Sequence, residues 1–470
     1  MKESKFQELS KKLVMDRKSA WTKLESDKKE EVLSLAQDYI NFLNKAKTER
    51  EAVLEIISWC RKNGFVDLNA VENTQPQPGT RFYFVWKERA AIIGIWGTNP
   101  LKRGFRLVGS HLDCPRLDLK PQPVYEQEGL GLCKTHYYGG IKKYQWTAVP
   151  LALHGVICTA QGNKISIVIG EDASDPVFTI TDLLPHLAKD QMSKKTTAAV
   201  AGESLNIIIG SIPVDDEDVK EPIKLALLEQ LNKKYGMVEE DFISADLELV
   251  PAIPARDLGL DRSLIAAYGQ DDRICAYATL KAMENMEQPT QLALGLFADK
   301  EEIGSVGNTG MQSNMLEIVL EKLIRWSGED AGLYEILGAS QAISADVNAG
   351  LDPTYPEVMD KHNAARLGYG LVITKYTGSG GKYNANDADA EYVSQIRKLY
   401  NENQVLWQTG ELGKVDQGGG GTIAQFLANK GIETIDSGPA ILSMHSPLEV
   451  SSKIDFYHMV NGYKAFLVAK

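Results

Sequence analysis

The spacing of apolar residues divides the start of the chain into a helical segment and a segment of short strands. Between Lys5 and about Lys62, apolar residues recur every three or four positions, which predicts two or three amphipathic helices. Runs rich in β-branched and aromatic residues follow, separated by turn residues such as Gly79. They predict successive strands of one sheet over residues 81–86, 91–96 and 105–109.

The pattern changes again near residue 120. Short strand-like runs with Gly and Pro punctuation continue to about residue 254, with one helical stretch near 223–234, so we predict an inserted, mostly-β domain over residues 120–254. From residue 271 onward helices and strands alternate, which is typical of a mixed sheet with helices on its faces. The predicted fold class is α/β, with a mixed sheet sandwiched by helices in a discontinuous domain formed by residues 1–119 and 255–470.

Polar residues that directly follow apolar runs mark the ends of the predicted strands. In open α/β sheets the functional crevice lies outside the carboxyl ends of the strands, so residues far apart in sequence can converge there. An Asp pair also precedes a predicted helix that enters the same sheet. Together these candidates are His111, Asp113, Asp271, Asp272, Glu301, Glu302, Asp346 and His445.

The residue types in this set favour a metal centre. Imidazole and carboxylate groups suit Zn²⁺, Mn²⁺ or Co²⁺, and a set without paired cysteines fits a catalytic rather than a structural zinc site. Two ions about 3.5–4 Å apart need one bridging carboxylate and a few terminal ligands each. Each residue also has an ordinary explanation on its own: Asp271 and Asp272 as helix caps, the glutamates as solvated side chains, His445 as a partly buried histidine. The presence of several such residues together at strand ends is what favours metal binding.

Composition narrows the class of protein. The formal net charge of −12 and the lack of a dense Lys/Arg run disfavour nucleic acid as a partner. Five cysteines without CxxC spacing predict reduced thiols. The start of the chain has no secretion signal and no stretch has the roughly 18 apolar residues of a membrane span, so we expect a cytoplasmic protein. Serine hydrolases, zincins and nucleotide-binding proteins lose support because GxSxG, HExxH and phosphate-loop motifs are missing from the sequence.

Five stretches, in consistent order and spacing, carry a resemblance to a known family. They are GSHLDCPRLDLKP, QDDRICAYATLKA, ADKEEIGS, SADVNAGLDPTY followed by KHN, and GPAILSMHSPLEV. Through them the chain resembles the aspartyl aminopeptidase family of two-zinc metallopeptidases over most of its length. A further stretch, HYYGGIKKYQWTAVPLALHG, is similar to bacterial members.

The resemblance implies a role for each candidate. Asp271 resembles the carboxylate that bridges two zinc ions, with His111 and Asp346 completing one ion's ligands. Glu301 resembles the general base, and Asp113 resembles the carboxylate that supports the ligand histidine. The zinc ligands that the resemblance implies are His111, Asp271, Glu302, Asp346 and His445.

The resemblance also implies an assembly and bears on the substrate. In the family the inserted domain serves oligomerisation and contributes a histidine to the active site of a neighbouring subunit. Family members form a large tetrahedral dodecamer. The segment ITDLLPHLAKD resembles that region, and its histidine is His186. The alternative is that His186 only starts a helix after Pro185. We therefore expect a homo-oligomer. Tyr369 stands where the family places a lysine for acidic substrates, which leaves a neutral or broad preference open.

The predicted function is a metallo-aminopeptidase that removes N-terminal residues from peptides, using water activated by two zinc ions and Glu301 as general base. Co²⁺ or Mn²⁺ are expected substitutes, and neither nucleic acid nor membrane is an expected partner. Two alternatives are open at this stage. One is a dizinc amidohydrolase such as a deacylase, which binds no free amine; the other is a scaffold protein that has kept the fold without catalysis.

Overall fold

A computed structural model describes residues 4–71 and 74–470, and in these ranges the chain forms twelve α-helices and twenty strands. The strands, in chain order, are β1 (Val66–Asp67), β2 (Arg81–Trp86), β3 (Ala90–Ile95), β4 (Phe105–His111), β5 (Arg116–Gln127), β6 (Leu130–Tyr138), β7 (Leu151–Cys158), β8 (Lys164–Ile169), β9 (Ile207–Gly210), β10 (Ala245–Pro251), β11 (Arg256–Leu258), β12 (Leu264–Ala267), β13 (Leu292–Ala298), β14 (Gln341–Ser344), β15 (Asn348–Ala349), β16 (Leu371–Thr374), β17 (Trp407–Thr409), β18 (Glu433–Gly438), β19 (Ala440–Leu442) and β20 (Glu449–Ser452). The helices are α1 (Lys5–Leu13), α2 (Lys29–Lys45), α3 (Glu49–Lys62), α4 (Lys189–Met192), α5 (Thr196–Ala199), α6 (Pro222–Tyr235), α7 (Gln270–Met283), α8 (Met315–Ser327), α9 (Leu333–Gly338), α10 (Ala390–Glu402), α11 (Ala424–Ala428) and α12 (Lys453–Val468).

The largest sheet is mixed and is covered by helices on both faces. Its nine strands run in the order β1-β2-β3-β13-β4-β14-β18-β16-β17, with β4 parallel to β13 and β14 but β3 antiparallel to β13. Neighbouring residues of a strand point to opposite faces, and Leu107 and Val108 accordingly belong to two different hydrophobic cores. Helices α2, α3, α7, α10 and α12 contribute to one core, and α8, α9 and α11 to the other. The prediction of a mixed sheet sandwiched by helices is confirmed.

A second, antiparallel sheet is formed between residues 116 and 251. Its order is β8-β7-β10-β5-β6-β9, and α6 packs against β5, β6 and β9. This sheet has a hydrophobic core of its own. It lies close to the range 120–254 predicted as an insertion, although the sheet begins a few residues earlier, at Arg116. The division into two domains stays a prediction.

A third sheet, in the order β11-β12-β20-β19-β15, lies beside the start of α7. It joins the strand pair β19 and β20, which flanks residues 443–448, to β12, which leads into α7. Two segments nearly two hundred residues apart in sequence therefore meet next to the largest sheet.

Some predicted bounds differ from the observed ones. The strand predicted over 91–96 spans Ala90–Ile95, and the strand predicted over 105–109 continues to His111. The helix predicted near 223–234 is α6, which spans Pro222–Tyr235. Helix α1 buries none of its residues, although it lies in the segment predicted to form amphipathic helices. In the described ranges, no helix is long and apolar enough to cross a membrane.

A buried histidine links the helical start of the chain to the antiparallel sheet. His154 on β7 contacts Glu51 of α3 through Nδ1 at 2.7 Å and Glu171 through Nε2 at 3.0 Å. Lys47 adds an ion pair to Glu171 at 2.7 Å. Burial lowers the pKa of His154, but the hydrogen bonds to Glu171 and Glu51 outweigh it and raise this pKa above its ordinary value.

Replacing His154 with Phe will destabilise the protein more at pH 6 than at pH 9. Since the folded-state pKa is raised, the protonated imidazole contributes stability that is complete below its unfolded pKa of about 6.5 and is lost as the pH rises through the raised value. Loss of these hydrogen bonds to charged groups will cost roughly 1.5–3 kcal/mol at pH 6. Thermal unfolding at both pH values measures the effect, with the exposed His136→Phe as control. An equal loss at both pH values would contradict the prediction.

Candidate metal centre

Parallel strands of the largest sheet bring the first candidates together. His111 is the last residue of β4, and its partner on the parallel strand β13 is Ala298. Three residues past β13, the chain turns into a 3-10 helix that begins with Glu301 and Glu302. Asp346 comes two residues after β14, which is also parallel to β4. These carboxylates and His111 therefore share one edge of the sheet, as the crevice rule predicts.

The remaining candidates arrive from the third sheet and from α7. Asp271 and Asp272 lie in the first turn of α7, where their backbone is still non-helical, and both are buried. His445 follows β19 in the connection to β20 and has a left-handed backbone with φ 65°. This strained conformation is uncommon for a residue with a side chain.

Histidine and carboxylate atoms converge in three overlapping groups. Within each group the possible ligand atoms lie within 4.8 Å of one another. Asp271 faces both histidines: its Oδ1 is 3.2 Å from Nε2 of His111, and its Oδ2 is 3.2 Å from Nε2 of His445. Glu302 is 3.4 Å from the same nitrogen of His445. The groups are His111, Glu301 and Glu302; His111, Asp272 and Asp346; and Asp271, Glu302 and His445.

Both histidines are oriented by backbone carbonyls. Nδ1 of His111 is 3.0 Å from the carbonyl oxygen of Asp113, and Nδ1 of His445 is 2.9 Å from that of Gly140. A carbonyl can only accept, so each Nδ1 carries a hydrogen, and Nε2 is the nitrogen that can bind a metal once its own proton is lost. Both Nε2 atoms therefore point towards Asp271, an arrangement like that of histidines that bind a metal through one nitrogen and are held by a second partner at the other.

Asp113 lies behind the ligand groups. Its Oδ1 accepts the N–H of Glu301 and its Oδ2 accepts the N–H of Glu302, both at 3.1 Å. The hydroxyl of Tyr138 donates to Oδ2 at 2.9 Å. Burial raises the pKa of Asp113, but the contact with His111 outweighs it and the net pKa is lowered. Asp113 is therefore a buried carboxylate that holds the backbone of the Glu301–Glu302 turn.

The carboxylates of the centre are crowded and buried. Burial raises the pKa of Glu301 to about 7, and burial followed by the nearby charge of Asp271 raises the pKa of Glu302. Burial and the neighbouring Asp272 do the same for Asp346. One oxygen each of Asp272 and Glu302 is buried without a hydrogen-bond partner among the described residues. Cations would satisfy these oxygens and offset the repulsion, so the donor set fits a pair of divalent metals.

Two residues of this region were not assigned a role from sequence. Asp272 accepts the N–H of His111 at 3.3 Å and lies with His111 and Asp346. Glu449, buried on β20, accepts the N–H groups of Asp271 at 3.1 Å and of His445 at 2.8 Å. Glu449 falls inside the stretch GPAILSMHSPLEV, but only the packing of β20 against α7 shows what it holds.

Two other candidates lie outside the ligand groups. His186 is in an exposed turn before α4, and it belongs to none of the three groups found in the described part of the chain. Tyr369 lines a surface cavity together with Arg17, Lys18 and Arg366.

Comparisons with known proteins agree on one class. Residues 42–467 match the family described as aminopeptidase I zinc metalloprotease (M18). A probable M18 family aminopeptidase 1 of Clostridium acetobutylicum is 46% identical over 97% of this chain and 99% of its own length. The crystal structure of an M18-family aminopeptidase from Thermotoga maritima matches with a TM-score of 0.92 and 46% identity, covering 96% of this chain and 99% of that one. The structure of a yeast mApe1 dodecamer shares the fold, with a TM-score of 0.73 and 24% identity over 92% of this chain and 95% of that one.

The fold and the site thus define a metal-dependent hydrolase. The chain belongs to the M18 family of zinc aminopeptidases. Membership favours the aminopeptidase over the deacylase and the inactive scaffold, which the sequence pattern had left open.

Proposed function

We propose that this enzyme holds two zinc ions and that Asp271 bridges them. His111 and Asp346 complete the ligands of one ion, and Glu302 and His445 those of the other. The assignment is supported by the position of Asp271, whose two oxygens each lie 3.2 Å from a different histidine Nε2. Asp272 lies close to His111 and Asp346, so its oxygen can adjust the ligand geometry of the first proposed ion. Co²⁺ and Mn²⁺, which accept the same donors, are proposed substitutes.

In this proposal Glu301 is the general base. When bound, the zinc pair lowers the pKa of a water from about 15.7 towards about 7 and polarises the scissile carbonyl. Glu301 takes a proton from the water and later donates it to the leaving amine. A carboxylate suits both steps when its pKa lies near the working pH, and the pKa of Glu301 is raised to about 7 by burial.

The acidic side chains around the centre account for exopeptidase action. The free α-amine of a peptide is a cation at neutral pH, and the concentration of carboxylates around the centre favours a cationic group beside it. Peptides with a free N-terminus are therefore the proposed substrates. We propose a neutral or broad preference for the first residue, since Tyr369 occupies the position where the resemblance expects a lysine.

Assembly is part of the proposal. His186 lies in a segment with exposed apolar side chains: Leu183, Leu184 and Leu187 expose half or more of their surface. Contiguous exposed apolar groups of this kind mark interaction sites. We propose that this segment contacts another subunit, that His186 reaches the partner's active site to stabilise the oxyanion, and that the assembly is a dodecamer like that of the yeast protein. Light scattering of the purified enzyme measures its mass. A cytoplasmic location, with the five unpaired cysteines kept reduced, completes the proposal.

A panel of aminoacyl-nitroanilides, assayed with and without a chelator, tests the proposed activity. We expect hydrolysis of substrates with a free α-amine, loss of activity with the chelator, and recovery on adding Zn²⁺, Co²⁺ or Mn²⁺. N-acyl amino acids serve as the matched substrates that lack the amine. If the enzyme hydrolysed the N-acyl amino acids and not the aminoacyl substrates, the proposed activity would be wrong and a deacylase would be the better interpretation. A metal analysis that shows no bound ion at neutral pH would favour a scaffold protein.

A further inference from the structure

Three consecutive residues at the end of β6 lie against the metal centre. Tyr138 ends β6, and Gly139 and Gly140 follow it. The Tyr138 hydroxyl donates to Asp113, and the Gly140 carbonyl accepts from His445. We propose that Tyr138 and Gly140 are positioning residues through which this sheet sets the zinc affinity of both halves of the centre. The first half is the proposed ion position with His111 and Asp346, and the second half is the position with Glu302 and His445. The inference rests on the ligand assignment proposed above.

The ring of Tyr138 is held by a buried arginine. Arg116 is the cross-strand partner of Tyr138 on β5, and its guanidinium carbon lies 4.0 Å from the ring centroid. Arg116 in turn pairs with Asp118 at 2.9 Å, Glu248 at 3.2 Å and Glu49 at 3.4 Å. A cation held by three carboxylates and stacked on the ring restricts the direction of the tyrosine hydroxyl.

The hydroxyl of Tyr138 acts on the first half of the centre through Asp113. Asp113 accepts from Tyr138 and from the backbone N–H groups of Glu301 and Glu302, and its Oδ1 is 3.4 Å from Nδ1 of His111. Without the hydroxyl, a fully buried carboxylate would lose one of its donors and gain freedom to turn. A rotated Asp113 carboxylate would displace His111 and the turn that carries Glu302, because Asp113 holds both.

Gly140 acts on the second half directly. Its carbonyl selects the tautomer of His445, and a Cβ at this position would lie 3.3 Å from the Nδ1 of that histidine. At Gly139, where φ is 72°, a Cβ would lie 3.3 Å from the Cβ of Glu302. A side chain at either glycine would push against a proposed ligand, which explains the Tyr-Gly-Gly sequence at this point of the strand.

Zinc affinity measured by competition with a chromogenic chelator tests the inference. We expect Tyr138→Phe to bind zinc about 10–100-fold more weakly, the usual effect of removing a group that orients a ligand. Gly140→Ala is expected to weaken one of the two ions selectively, through His445. The controls are Tyr137→Phe, an exposed neighbour, and Gly338→Ala, where an added Cβ meets nothing within 4 Å.

Thermal unfolding of the metal-free proteins separates positioning from general damage. We expect Tyr138→Phe to unfold near the wild-type temperature when metal is absent, and to unfold earlier only at limiting zinc. Wild-type zinc affinity in either Tyr138→Phe or Gly140→Ala, or equal weakening by Tyr137→Phe, would overturn the inference. A His111→Ala variant shows which part of the inference has failed. If His111→Ala loses zinc and Tyr138→Phe does not, the positioning role alone is overturned. If both variants retain zinc, the ligand assignment is overturned.

Discussion

Glu301→Gln is expected to lower kcat by about 10²–10⁴-fold while both proposed zinc ions stay bound. The amide keeps the size of the side chain and leaves the hydrogen bond from the Glu301 N–H to Asp113 untouched. It cannot accept a proton from water, so the loss falls on proton transfer and appears in kcat rather than in metal content.

Steady-state kinetics on an aminoacyl-nitroanilide, together with zinc analysis of the same sample, measure this effect. Glu402→Gln, at an exposed position on α10, is the matched control and should keep wild-type kinetics. Added zinc should not restore Glu301→Gln. A near-normal kcat in this variant would show that another group removes the proton, and Glu301 would lose its role.

His445→Ala is expected to lose bound zinc and activity together. The Nε2 of His445 lies 3.2 Å from Asp271 and 3.4 Å from Glu302, so its removal leaves the second proposed ion with carboxylates alone. We expect the zinc content to fall from two ions per subunit towards one at limiting metal. Because the missing part is a ligand rather than a base, excess Zn²⁺ should restore part of the activity, in contrast to Glu301→Gln.

Zinc content after dialysis, and activity titrated with Zn²⁺, measure the result. His136→Ala, at an exposed position of β6, is the control for the loss of an imidazole. If His445→Ala retained two zinc ions with wild-type affinity, His445 would not be a ligand, and the position of its Nε2 beside Asp271 would need another explanation.

The two variants test different parts of one electrostatic arrangement. The pKa of His445 is raised to about 10, because the hydrogen bond to Asp271 and the charge of Glu302 outweigh burial. A zinc ion must displace this proton to bind Nε2, so metal affinity is expected to fall as the pH is lowered. Glu301 lies beside the same charges, but its proposed role is to act on water, so we expect the effect of Glu301→Gln to be independent of metal loading.

Much of the fold followed from local pattern. The strands over 81–86 and 105–111 and the helix over 222–235 match their predicted positions closely, because apolar runs bounded by turn residues mark the strands, and Pro222 and Gly236 bound the helix. Helix α1 lies in the segment predicted as amphipathic helices, but its periodic apolar residues Phe6, Leu9 and Leu13 are exposed. Periodicity predicts an apolar face but does not show whether anything covers it.

The sequence by itself determined the residue types of the centre and their placement at strand ends. An apolar run of strand length that stops at His111 or before Asp346 places the polar side chain at the sheet edge, whatever the rest of the fold does. Only the tertiary structure decided that Asp271 lies between the two histidines and that Glu449 holds the backbone of both Asp271 and His445. The carbonyl of Gly140, 305 residues from His445, has no side chain that a sequence pattern could mark. Such contacts depend on how three sheets pack together, and no local preference of the chain specifies them.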